Sequence, residues 1–195
     1  MIPTGNPDAA RAVGRCYGAM FFAVFGGAWL LLAAYAFGRL STPVAGLITF
    51  VTVLFVIAAV RLQRRGEHGK DAGENAIPDA EQKRNDRIFG IVNAVTWIAV
   101  FLVFLIFPRI GHEDLAIPAV ALIVGLHFFP MPPLYRHPAN LVTGACISVW
   151  AVACPLLFHG DSMIGFVAAG AGLVLWASAS WALGTARRLL ASAAL

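Results

Sequence analysis

The residue in this chain with the widest choice of chemistry is His127, in the run Gly125-Leu126-His127-Phe128-Phe129-Pro130-Met131-Pro132-Pro133. An imidazole exchanges a proton near physiological pH, and in its neutral form it both donates and accepts hydrogen bonds. The sequence from Leu115 to Tyr135 around it holds no Asp, Glu, Lys or Arg. An ionisable group in such a setting has two uses: a substrate or proton site, or a neutral lock to a neighbouring segment. Pro130, Pro132 and Pro133 cannot donate backbone hydrogen bonds, so any helix through His127 must bend or unwind just after it.

A second group of polar residues offers metal chemistry. His112, Glu113 and Asp114 are consecutive, and His159 and Asp161 stand in a later short segment. Nitrogen and oxygen donors from two loops suit a divalent ion such as zinc. Their spacing matches no established ligand pattern, and short aqueous turns are polar in any case. Asp161 also stands where an N-cap for a following helix would be. We read these five residues as turn residues and assign neither a metal nor any other cofactor.

The elements that carry these residues follow from the distribution of charge. Six runs, 17–38, 40–60, 88–108, 115–135, 138–158 and 162–186, lack any Asp, Glu, Lys or Arg. Each is long enough for a helix of about 30 Å, the thickness of a bilayer's hydrocarbon core. In lipid a single segment satisfies its own backbone only as a helix, which predicts an all-α bundle of six transmembrane helices. Hydrophobic residues make up 59% of the chain and charged ones 12%, against about 25% charged in soluble domains. The 195 residues form a single membrane domain with no room for a separate soluble one.

The basic residues set an orientation. Arg11, Arg15, Arg61, Arg64, Arg65, Lys70, Lys83, Arg84, Arg87, Arg136, Arg187 and Arg188 fall on one side of the six runs, and only Arg39 and Arg109 on the other. By the positive-inside rule both termini are expected in the cytoplasm. The net charge of +4 is therefore a topology signal, and no basic surface is offered to nucleic acid. Arg11 and Arg15 before a run ending in Ala34-Tyr35-Ala36 resemble a secretory signal. The apolar stretch is longer than such signals carry, and Gly26, Gly27 and Trp29 read as packing residues of a retained helix.

Three outer turns, Gly38–Pro43, Arg109–Asp114 and His159–Asp161, divide the runs into three hairpins, each with a tryptophan (Trp29, Trp97, Trp150) in its first helix. The inner loop 61–87 is a solvated connector of mixed charge. Asp79 and Gln82 form a capping-box pattern there that starts the third helix before its apolar run. At the depth of His127 the other spans supply Asn93, Thr96, Ser148 and Ser178, all able to bond an imidazole, and no carboxylate. We take His127 with these four as the candidate intramembrane polar site. Cys16, Cys146 and Cys154 are expected to be buried small hydrophobes. Gly165, Ala168, Ala169 and Gly172 form small-residue ridges on span six, for packing within the bundle or for a homo-oligomer.

The run Gly125-Leu126-His127-Phe128-Phe129-Pro130, with Thr143-Gly144 after it, resembles a family of small bacterial integral membrane proteins of unknown function. The likeness is best over spans four and five, and Pro132 and Pro133 exceed its usual proline content. It implies a six-helix protein of the bacterial inner membrane and no activity. The chain also lacks the P-loop, dinucleotide, nucleophile-elbow, H-E-x-x-H and paired C-x-x-C patterns. The expectation is a non-enzymatic structural or accessory membrane protein whose partner is the lipid bilayer. The alternative is a small transporter or channel centred on His127.

Overall fold

The structure is a computed structural model that describes residues 7–68, 79–130 and 139–192. It is all-α, with α1 (Pro7–Ala36), α2 (Thr42–His68), α3 (Asp79–Ile106), α4 (Ala116–His127), α5 (Ala139–Leu157) and α6 (Asp161–Ser192). Two short 3-10 turns, Phe107–Ile110 and Glu113–Leu115, join α3 to α4. Five helices, all but α4, are long and apolar enough to cross a membrane. This is the build of a multi-pass membrane protein.

The fourth expected span is where the chain departs from six full crossings. Residues 115–135 do not form one helix, because α4 stops at His127. Its last turn tightens, with the Phe128 and Phe129 amides donating to the Gly125 and Leu126 carbonyls at 3.2 and 3.1 Å. Pro130 and the prolines after it can neither continue the ladder nor tolerate the preceding turn. A helix of 12 residues rises about 18 Å, little more than half the hydrocarbon thickness. Residues 131–138, including Pro132, Pro133 and Arg136, lie outside the described residues.

Other ends shift outward. α1 begins ten residues before its apolar run, and α2 carries on through Arg61, Arg64 and Arg65 to His68. α3 is described from Asp79, ahead of its apolar run. Each of the three outer turns contains a glycine with positive φ, Gly38 (64°), Gly111 (76°) and Gly160 (62°). In that region a side chain would be strained, which is why glycine closes each turn.

The helices do not pack as three separate hairpins. α1 makes its most extensive contact with α6, from the other end of the chain, and α4 packs more on α5 than on α3. Burial ranks them accordingly. In their most apolar stretches 39% of residues in α1 and 44% in α6 are buried, against 6% in both α2 and α3. So α1 and α6 form the centre, while α2 and α3 lie outermost and face lipid.

Glycine explains the central pairing. A Cβ on Gly26 would lie 3.1 Å from the Gly172 carbonyl oxygen, and one on Gly172 would lie 2.9 Å from that of Gly26. The Trp176 indole crosses at the same level and donates to the Ala23 carbonyl at 3.1 Å. Gly27 faces Thr52 of α2, and Trp29 is 8% exposed. These three are packing residues of α1, as expected. The small ridge of α6 is also used within the chain: Ala168 is buried, Gly165 faces Phe37 in the turn after α1, and Gly172 faces Leu30 of α1.

The cysteine expectation needs correcting. Cys16 and Cys154 are fully buried, but Cys146 is exposed on the lipid side of α5. It stands about 90° around the helix axis from the face that carries Ile147 and Cys154 into the core. The three hairpin tryptophans share no common environment either. Trp29 is in the core, Trp97 is exposed, and Trp150 lies over Gly170 and donates to the Phe166 carbonyl at 2.8 Å.

Candidate functional site

The polar site begins where α4 ends. His127 Nδ1 lies 2.8 Å from Thr96 Oγ1, so the most peripheral helix, α3, is tied to the broken one at this point. Thr96 Oγ1 is also 2.9 Å from the Val92 carbonyl, one turn back on its own helix. A hydroxyl has one proton, so it cannot donate to both. Both bonds form at once when Thr96 donates to Val92 and His127 Nδ1–H donates to Thr96. In a neutral imidazole this tautomer leaves the lone pair on Nε2. That nitrogen makes no hydrogen bond among the described residues.

The next residue points the other way. Phe128 is 4% exposed and its ring centre lies 5.6 Å from that of Phe22 on α1. On the α5 side, Gly125 and Gly144 bring two backbones together. A Cβ on Gly144 would meet the Gly125 carbonyl at 2.7 Å, and one on Gly125 would fall onto the Ser148 hydroxyl. Ser148 Oγ is buried there with no hydrogen-bond partner among the described residues.

The five expected site residues therefore do not form one cluster. His127 and Thr96 are bonded, and Ser148 packs against Gly125 two residues before the histidine. Ser178 belongs to a different contact. Its hydroxyl lies 2.7 Å from Thr143 Oγ1 and donates to the Val174 carbonyl at 2.8 Å, which joins α6 to α5. Asn93 is exposed and makes no hydrogen bond to His127 among the described residues. Depth alone cannot say which way a side chain points, and Asn93 is three residues before Thr96 on a helix with only one packed face. Thr143, 4% exposed and 3.1 Å from the Ala139 carbonyl, was missed as a site residue. Its hydroxyl in a span was a visible signal, but its partner depended on the register of α5 against α6.

The outer polar residues stand apart. His112, Glu113, Asp114 and His159 are exposed, and among the described residues no three His, Cys, Asp or Glu side chains come together as a metal site. The side chain of Asp161 is outside the described set.

Comparison with known proteins gives one match. The model of a family of unknown function, DUF7010, covers residues 80–184, more than half of the chain. The chain belongs to that family. The matched region runs from the start of α3 to most of the way along α6, and so takes in the α4 break and all five expected polar residues. No curated protein and no solved structure matches the chain. DUF7010 thus brings no activity with it, and the roles of its residues here must be read from their contacts.

Besides the bonds of Thr96, Thr143 and Ser178 to their own helices, these contacts run between helices. Gly125 and Gly144 set the α4–α5 distance, His127 holds α3, Phe128 holds α1, and Thr143 holds α6. The run that carries the family likeness is a hub at which five helices are fixed around a helix end.

Proposed function

We propose that this DUF7010 protein is a non-enzymatic multi-pass protein of the bacterial inner membrane, structural or accessory to other membrane components, with both termini in the cytoplasm. One observation carries the reading. The ionisable group at the α4 break is tied to a neighbouring helix, with His127 bonded to Thr96 at 2.8 Å. A neutral imidazole with no carboxylate at its depth locks the bundle and does not relay protons.

A second reading, a small transporter or channel, has an observation of its own. α4 ends near the expected midplane, and half-helices of this kind line substrate sites in transporters. The buried, unpartnered Ser148 hydroxyl sits beside that end.

One pair of variants separates the two readings. The chain, His127→Ala and His127→Gln are reconstituted into liposomes for a panel of ion and solute fluxes, with thermal unfolding measured on the same samples. The structural reading expects no flux from any of them, a lower melting temperature for His127→Ala, and partial recovery in His127→Gln. Flux in the unchanged chain that both variants lose, at unchanged stability, would replace it with the transporter reading.

A further inference from the structure

Arg15 differs from the other arginines at its end of the bundle. Arg11, Arg61, Arg64, Arg65, Arg84, Arg87, Arg187 and Arg188 are exposed, whereas Arg15 is half-buried. Its Nε and one terminal nitrogen are closed off from solvent, with no hydrogen-bond partner among the described residues. The guanidinium carbon lies 5.4 Å from the centre of the Trp181 ring on α6. A ring face attracts the positive charge but has no lone pair to accept an N–H. The contact therefore holds the guanidinium in place and leaves its donors unmet, which is costly for a charged group.

The surroundings favour an anion. Among the described residues, Asp8 accepts from Arg11 at 3.2 Å and Glu67 accepts from Gln63 at 2.9 Å, so neither is turned to Arg15 by these bonds. The one acid of α6, Asp161, stands at the opposite end of that helix.

The position favours a lipid. Arg15 precedes the apolar run by two residues, a rise of about 3 Å, which is the level of the headgroups. Trp181 is 54% exposed, as an interfacial tryptophan should be. From it an exposed stripe runs back along α6 through Ala177 to Leu173, which is 59% exposed. An acyl chain can lie on that stripe while its phosphate meets the guanidinium.

We propose that Arg15 and Trp181 form a binding site for a phosphate oxyanion, supplied by an anionic phospholipid of the leaflet at this end of the bundle. Arginine suits this ligand because its charge is permanent and its other terminal nitrogen, Nη2, is not among the atoms closed off, so it is left to donate to a phosphate oxygen.

The test uses the full chain in detergent, with phosphatidylglycerol, phosphatidylcholine or sodium phosphate added. Melting temperature and lipid retained in native mass spectra are the readouts. Phosphatidylglycerol should raise the melting temperature and remain bound, and phosphatidylcholine should do neither. Arg15→Gln should lose both effects, and Arg61→Gln, at an exposed arginine, should keep them. Trp181→Leu changes a side chain that is 54% exposed and leaves Arg15 in place, so it stays informative if Arg15→Gln fails to fold; its retention of phosphatidylglycerol should be weaker. An Arg15-dependent shift with sodium phosphate alone would keep the oxyanion site and assign it to soluble phosphate. Equal retention by the unchanged chain, Arg15→Gln and Trp181→Leu would overturn the site.

Discussion

Gly125 of α4 and Gly144 of α5 approach so closely that a methyl group on either would press against the backbone of the other, at 3.0 and 2.7 Å. The absence of side chains at these two positions sets the spacing of the helices that flank the break. It also places Ser148 against Gly125 and brings the His127 end of α4 within reach of α3 and α1.

Gly144→Ala should therefore destabilise the bundle by about 1–3 kcal/mol, the usual cost of overpacking. Gly18→Ala, where nothing lies within 4 Å of the added methyl, should be neutral or raise helix stability by up to about 1 kcal/mol. Thermal unfolding in one detergent compares them. Equal effects from the two substitutions would show that the crossing is loose.

The His127–Thr96 bond should appear as a coupling energy. Interhelical polar pairs in membranes average about 0.6 kcal/mol and reach about 1.7 kcal/mol. A double-mutant cycle with His127→Ala and Thr96→Val should fall in that range, while the same cycle with Asn93→Ala in place of Thr96→Val should give none. A coupling to Asn93 as large as that to Thr96 would contradict the geometry.

The outer histidines should be indifferent to metal. His112 and His159 are exposed in separate turns, so a His112→Ala, His159→Ala variant should respond to zinc and to a chelator as the unchanged chain does. A zinc-induced rise of several degrees in the unchanged chain that the variant lacks would establish the metal site set aside here.

Orientation is tested by reporters. One fused after Leu195 should behave as cytoplasmic, and one inserted between Gly111 and His112 as external. The opposite result at either site would reverse the charge argument.

Much of this was legible from residue types alone. Runs without charge located the helices, glycines located the outer turns, and the prolines after His127 located the break. The His127–Thr96 pair was also within reach, since depth along a helix is a simple count and both residues are polar. What could not be read was direction around each helix axis. Asn93 and Thr96 are three residues apart at similar depth, yet only Thr96 faces α4. Cys146 and Cys154 lie on one helix, and only Cys154 reaches the core. The pairing of α1 with α6 was invisible for a related reason. Small residues on both helices announced close packing, but nothing in either pattern named the partner.

The partnership of α1 with α6 also bears on how the chain is made. The Trp176–Ala23 bond joins residues 153 positions apart. At synthesis rates of about 5–20 residues per second, α1 enters the membrane roughly 8–30 s before its main partner exists. During that interval Gly26 lacks the α6 backbone that it packs against. The bundle can close only when its last helix arrives, so a chain cut short before α6 would leave α1 without its centre and be a natural target for quality-control proteolysis.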